Sequence, residues 1–311
     1  MRESGTFESK HVVLPVEAGP FAPAVKARRP AWGPRQARAM DGDTLLRRMI
    51  ASCLEQVVPN AAEIARGSHD PEHVHQLRVG LRRLRSVASG MKPFAAAMPD
   101  RWSAALRPVF DALGQARDQH VRSTTLAPRL RAAGAPVADL AGPSEEEAAK
   151  TIQRLVRAGQ FQHMLRLLLD YARNVGETRH GKSGSGLAHL VRRLAGLARR
   201  VNRAAHGFDD LPFAQRHELR KRLKRLRYLA GFAAPAFDHE AVGAWLDKVS
   251  AAQDRLGKHI DLALAADRFA VAATTDPDAG YAAGWLRAKA ESSARAARKS
   301  LERLGRAERF W

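Results

Sequence analysis

Cysteine is nearly absent from this chain of 311 residues: Cys53 is the only one. An internal disulfide is therefore excluded, and the apolar setting Met49-Ile50-Ala51-Ser52-Cys53-Leu54 reads as core packing in a reducing compartment. Long apolar runs are missing too. No uncharged apolar stretch reaches eighteen residues, and the charged start Met1-Arg2-Glu3-Ser4-Gly5 opens no signal-peptide run, so the expectation is a cytoplasmic protein with no membrane span. Aromatics are scarce at 6%, and β-branched residues are sparse beside alanine and leucine, which favours helices. Acidic residues are the fourth shortage, with 32 Asp and Glu against 52 Lys and Arg, a formal net charge of +20. That excess attracts phosphate polymers, anionic membranes or acidic proteins without choosing among them. Arginine predominates, and its planar fork can hold one phosphate through two parallel hydrogen bonds.

Residues 1–40 carry seven basic and three acidic side chains, with Pro15, Pro20, Pro23, Pro30 and Pro34 scattered among them. Prolines this dense break regular elements, so the segment reads as a basic, disordered tail. Trp32 within it has two readings, docked or exposed. From Asp43 onward apolar residues recur at three- and four-residue steps. The pattern predicts helices from Asp43 to Pro59, which ends or bends the first, then over about 72–91 and 102–113, the last extending through Val121. Gly134, Pro136, Gly142 and Pro143 mark a linker, after which Ser144 and Glu147 form a capping box. Further helices are expected over about 145–175, 187–206, 214–232, 240–270 and 284–308. Gly176-Glu177-Thr178-Arg179-His180-Gly181-Lys182-Ser183 spells the letters of a phosphate loop. It follows the helical run Leu167-Leu168-Leu169 rather than a strand and has a charged interior, so it reads as a flexible turn.

The most informative feature is an internal repeat. His75-Gln76-Leu77-Arg78-Val79-Gly80-Leu81-Arg82-Arg83-Leu84-Arg85 returns as His217-Glu218-Leu219-Arg220-Lys221-Arg222-Leu223-Lys224-Arg225-Leu226-Arg227. A second element follows each copy, Leu113-Gly114 with Asp118 and Leu256-Gly257 with Asp261. On a helix His75, Arg78, Arg82 and Arg85 fall within about 80° of one another, and Leu77, Leu81 and Leu84 lie opposite within about 60°. The second copy places His217, Arg220, Lys224 and Arg227 over Leu219, Leu223 and Leu226. Each stripe lacks a carboxylate to offset its like charges, a deficit that a dense phosphate polymer supplies. The two histidines are open to two readings, phosphate donors or core residues. Asp118 and Asp261 read as partners for nearby arginines or as helix caps. Arg83 and Arg225 read as solvated flank, no more than secondary contacts.

These residues resemble the CHAD family, named for histidines in an α-helical domain. The doubled H-x-x-R-x-x-x-[RK]-x-x-R helix carries the resemblance, with Arg227-Tyr228, Leu256-Gly257 and Asp261, Gly284-Trp285-Leu286 and the terminal Phe310-Trp311, over about residues 40–311. It implies an all-α fold of two pseudo-symmetric four-helix halves packed into one compact domain with a basic groove, here divided at about 41–135 and 144–311. It also implies binding of inorganic polyphosphate, association with polyphosphate granules and their proteins, no cofactor and no catalysis. Transferred by position, the groove is lined by His75, Arg78, Arg82, Arg85, His217, Arg220, Lys224 and Arg227. Arg117 and His259, close to the paired aspartates, are secondary, as are Arg83, Lys221 and Arg225. The chain departs from some relatives in lacking an E-x-E-x-K strand motif, and residues 1–40 carry no family pattern.

Two rivals follow from the residues alone. A nucleic-acid binder would use the same phosphate contacts, but the ridges offer neither base-reading polar fingers nor more than one adjoining aromatic, Tyr228, so nucleic acid is expected only as a non-specific competitor. A phosphohydrolase or kinase needs clustered carboxylates or an activated nucleophile, which neither ridge supplies. A metal site is not expected, since His73 and His75 point to different helix faces and Cys53 stands alone.

Overall fold

A computed structural model describes residues 20–134, 144–174 and 185–311. The expected linker at 135–143, the glycine-rich turn and the phosphate-loop letters at 176–183 lie outside the described residues, as do residues 1–19. Among the described residues every regular element is helical apart from one isolated bridge between Asp41 and Ser185. None of the helices is long and apolar enough to cross a membrane.

Eleven α-helices appear among the described residues: α1 (Pro34–Ala39), α2 (Gly42–Arg66), α3 (Pro71–Gly90), α4 (Trp102–Val121), α5 (Ala127–Ala132), α6 (Glu145–Arg157), α7 (Gly159–Arg173), α8 (Gly186–His206), α9 (Phe213–Ala233), α10 (His239–Ala272) and α11 (Asp278–Gly305). Local chemistry sets their ends. Asp41, Asp70, Ser144, Ser185 and Asp238 each accept a backbone N–H from the first turn of the helix that follows. The capping box of Ser144 and Glu147 is formed as expected. Gly67, at φ 108°, closes α2 in the left-handed region that favours glycine. Pro59 does not end α2, which runs through it to Arg66. The missing N–H costs one backbone bond, and burial of Val57, Ala61 and Ile64 on either side outweighs that loss.

The helices form two groups. In the first, α2 packs against α3, α6 and α7, and α4 packs against α6 and α7. In the second, α10 packs along α11 and against α9, and α8 against α9 and α11. The halves were expected at about 41–135 and 144–311; α6 and α7 pack against helices of the first group. Gln153 and Arg157 of α6 donate to the Ala65 carbonyl, and Arg47 of α2 donates to the Tyr171 carbonyl of α7. The groups meet where α3 crosses α9 and α2 crosses α8. Leu77, Leu81, Leu84, Leu219, Leu223 and Leu226 are each at most 1% exposed and share one core. Cys53 is buried in that core, and burial pushes its thiol up to about 12, so it is a packing residue as expected.

Residues 20–40 correct the expectation of a disordered tail. Ala22 N–H bonds to Glu63, its carbonyl bonds to the His73 ring, and Val25 exchanges two hydrogen bonds with Asn60. Trp32 docks, 5% exposed, and stacks on Phe232 of α9 at 6.3 Å. Arg38 reaches the Ala236 carbonyl. The prolines fix the chain in an extended path, so little further entropy is lost when it lies across both helix groups.

Arg83 is a second correction. Predicted on a solvated flank, it is 6% exposed, and its guanidinium lies 5.0 Å from the centre of the Phe232 ring. It donates to Gln56, which donates to Gln76, which donates to Glu72, so the buried charge is connected to a carboxylate by hydrogen bonds. Arg83→Ala should therefore lower stability by about 2–3 kcal/mol, since it removes a charge-assisted bond and a cation–π contact. Arg85→Ala, at an exposed site, should leave it within about 0.5 kcal/mol. Chemical denaturation of the two variants tests the contrast.

Candidate polyanion site

Where α3 meets α9, the basic stripes of the two repeat copies face one another. Arg78 and Arg82 of α3 and Arg220 and Lys224 of α9 lie close enough that the arginines depress the ionisation of Arg78, Arg82 and Lys224. Burial is the larger cause in each case. Arg78 is brought down to about 10, by burial and then by Arg82, Arg117 and Arg220, with Asp118 opposing. Arg82 is lowered as well, and the Tyr228 hydroxyl opposes that shift. The largest effect falls on Lys224, lowered to about 6 by burial and by Arg82, Arg220 and Arg78, against a smaller opposing pull from Asp261. Lysine yields where arginine does not, because its ammonium releases a proton far more readily.

Among the described residues Arg78, Arg82 and Lys224 have no ion-pair partner, and Arg220 has one. The Arg220 guanidinium is held by both carboxylate oxygens of Asp261, at 2.5 and 3.2 Å. The second repeated element explains the fit. The backbone at Gly257 runs close beside the guanidinium of Arg220, where a Cβ would make an ordinary contact at 3.5 Å, and Asp261 stands one turn further along the same face. Its counterpart differs: Gly114 has no such neighbour, and Asp118 pairs with Arg268 at 3.5 Å.

The remaining expected residues are distributed around this centre. His75 and His217 are half-buried, each lowered from its ordinary value chiefly by burial, then by neighbouring cations, with Glu72 and Glu218 respectively opposing. Arg117 is near both His75 and Arg78. Arg85 is exposed and lies 4.8 Å over Phe110, which also underlies Arg82. Arg227 donates to Gln253 and lies 5.1 Å over Tyr228. Lys221 is exposed and turns toward Glu218 at 3.6 Å, while Arg225 is half-buried on the flank.

His259, expected as a secondary contact, lies inside the protein. It is 4% exposed, its Nδ1 faces the Ala290 carbonyl at 3.0 Å, its Nε2 faces Arg216 at 3.2 Å, and it packs edge-on against Phe208. Both ring nitrogens are used inside the protein, so it is a core histidine that ties α10 to α11. Arg83, expected as a secondary contact, is buried too, as described above. Residues missed by sequence reasoning are Gln253, which orients Arg227, and Phe110, beneath two ridge arginines. Gln253 was discoverable, since 253, 257 and 261 are successive turns of one helix face; Phe110 carries no such signal. Among the described residues no group of three or more His, Cys, Asp and Glu side chains is placed to hold a metal.

The arrangement can do one thing well: it presents cations whose mutual repulsion an added anion would relieve. The free protein bears the cost. Lys224 binds a proton in the unfolded chain up to its ordinary pKa of 10.5 but in the folded chain only below about 6. Folding thus releases a proton across that window, and stability rises with pH from about 6 towards 10. Lys224→Met should raise stability at neutral pH by roughly 1 kcal/mol, roughly 2 °C in the unfolding midpoint, and should flatten that rise. Thermal unfolding across the pH range reads both effects.

Comparison with known proteins supplies the family. A crystal structure of the CHAD domain from the plant Ricinus communis matches with a TM-score of 0.72, covering 93% of this chain and 98% of that one, at 22% identity, a likeness of fold. No curated protein matches. The model of the CHAD domain family matches residues 48–270, most of the chain and both copies of the basic helix. The chain, with its duplicated histidine- and arginine-bearing helices, belongs to the CHAD domain family.

Proposed function

We propose that this protein binds inorganic polyphosphate without transforming it, along the cationic face formed by α3 and α9. The observation that carries the reading is the uncompensated cluster of Arg78, Arg82 and Lys224, with Arg220 beside them. A chain of closely spaced phosphates places several charges over so compact a cluster, whereas a single small anion meets only part of it. His75, Arg85, Arg117, His217 and Arg227 extend the contact on either side, and Lys221 and Arg225 lie at the rim. Family membership supports the same reading through the resemblance that the repeat carries. In this reading α2, α3, α4 and α6–α7 form one half, α8 to α11 form its pseudo-symmetric counterpart, and the ridges border a basic groove between them. Residence in the cytoplasm, on polyphosphate granules and beside their proteins, belongs to the same proposal.

Labelled long-chain polyphosphate at physiological salt, with duplex DNA as competitor, tests it. Wild type should bind with an affinity that falls steeply with salt. The variant carrying Arg78→Ala, Arg82→Ala, Arg220→Ala and Lys224→Ala should lose at least about a hundredfold, on the basis of about 1 kcal/mol or more per charged contact. Equal competition by DNA per phosphate, or unchanged binding by the folded variant, would overturn the specific site.

Proton linkage gives an independent reading. Bound phosphate raises the pKa of Lys224, so the complex takes up a proton and affinity strengthens as pH falls from about 9 towards 6. Protonation of His75 and His217 adds to this at the acid end of the range. Calorimetry at pH 7.5 in two buffers of different ionisation enthalpy should detect uptake of about one proton, lost in Lys224→Met. No uptake in wild type would place the phosphate away from Lys224.

A further inference from the structure

A second cationic cleft lies around α10 from the ridges. Gln253, Gly257 and Asp261 mark the ridge side of that helix, through their places beside Arg227 and Arg220. Arg255, Lys258 and Leu262 face the other cleft, about 130° around the helix. There α5, α10 and α11 enclose a cavity of about 650 Å³, within the size range of small-ligand sites.

Its lining is one-sided in charge. Arg129, Arg255, Lys258 and Lys289 border it, and among the described residues no carboxylate does and none of the four is in a salt bridge. Besides its cations the cleft has an apolar side, made by Leu262, the Trp285 indole and the methyl groups of short side chains, whereas the rings at the ridges, Phe110 and Tyr228, lie beneath arginines. The Lys289 ammonium lies 5.3 Å from the centre of the indole, so charge and ring face are adjacent. Ser292 adds a hydroxyl at the edge.

The two kinds of surface call for two kinds of ligand. A bare phosphate chain has no apolar surface and gains nothing from Leu262 or from an indole face. A ligand that joins phosphates to a planar ring uses both: the ring stacks on or beside Trp285 and the phosphates meet the cations. We propose that this cleft is a nucleotide-binding site, with Trp285 as its ring platform and Arg129, Arg255 and Lys258 as its phosphate contacts. Lys289 sits where ring and phosphate join. The inference stands apart from the polyphosphate reading, because it uses none of the ridge residues.

The test is displacement of a nucleotide with a fluorescent ribose label, the methylanthraniloyl derivative of ATP, from the full chain. Unlabelled ATP and tripolyphosphate are the competitors, so that binding through phosphates alone, at the ridges or here, is common to both. ATP should displace the label at a concentration at least about tenfold below that of tripolyphosphate, the difference being the stacked base. Trp285→Leu should erase this advantage, and Arg255→Ala with Lys258→Ala should weaken ATP by about tenfold or more. Tripolyphosphate that competes as well as ATP, a label that does not bind saturably, or Trp285→Leu with unchanged preference would each overturn the proposal. Trp285 leans on the smaller apolar cluster around Leu286 and Phe269. Should its variant fail to fold, the double variant decides, because Arg255 and Lys258 are both exposed, and unchanged ATP affinity there overturns the site.

Discussion

The contact of α3 with α9 is the constraint on which the rest depends. Six leucines, three from each repeat copy, are buried in the core beneath the two basic stripes. Together their burial supplies on the order of 10 kcal/mol. The opposing cost, bringing four cations near one another in partly desolvated positions, is smaller because arginine disperses its charge and Lys224 can give up its proton. Hydrophobic burial wins, and the charges are carried where the leucines take them. The same helix period that aligns the leucines aligns the basic groups behind them, so core and site are consequences of one pattern.

Duplication of the helix has not produced duplicate chemistry. Asp261 holds Arg220, whereas Asp118 turns to Arg268 and leaves Arg78 without an ion pair. The two sides of the cationic face therefore differ in availability: α3 offers free guanidinium groups, and α9 offers one arginine already held and one lysine largely neutral at pH 7. Arg220 is thus the one member of the four already engaged by a carboxylate.

Features governed by local periodicity were legible in the sequence. The helices bearing the repeat fall within a residue or two of their expected bounds, and the buried leucines are those facing away from the basic stripes. Arg83 was misread because it sits on the flank of the wheel, about 120° from both the ridge and the leucine seam. Its fate is decided by Gln56 and Phe232, residues distant in sequence. His259 likewise reads as a site residue beside Asp261, yet Ala290 and Arg216 claim both ring nitrogens. The grouping of α6 and α7 with the first helices depends on tertiary contacts alone, which no spacing encodes. Proline density in residues 20–40 correctly excluded regular structure from most of the segment, but an irregular path is compatible with tight docking when side chains such as Asn60, Glu63 and His73 satisfy its backbone.

That docked segment bears on the spacing of the whole. At its start it is bonded to α2 and α3 through Glu63, Asn60 and His73, and further on it rests on Phe232 and the Ala236 carbonyl of the other helix group. Phe232 is flanked by Trp32 and Arg83, so indole, phenyl ring and guanidinium connect the segment, α9 and α3. A stretch of chain anchored at both ends works like the screw of a caliper. It holds the two helix groups at a set spacing, and that spacing is a property of the protein by itself.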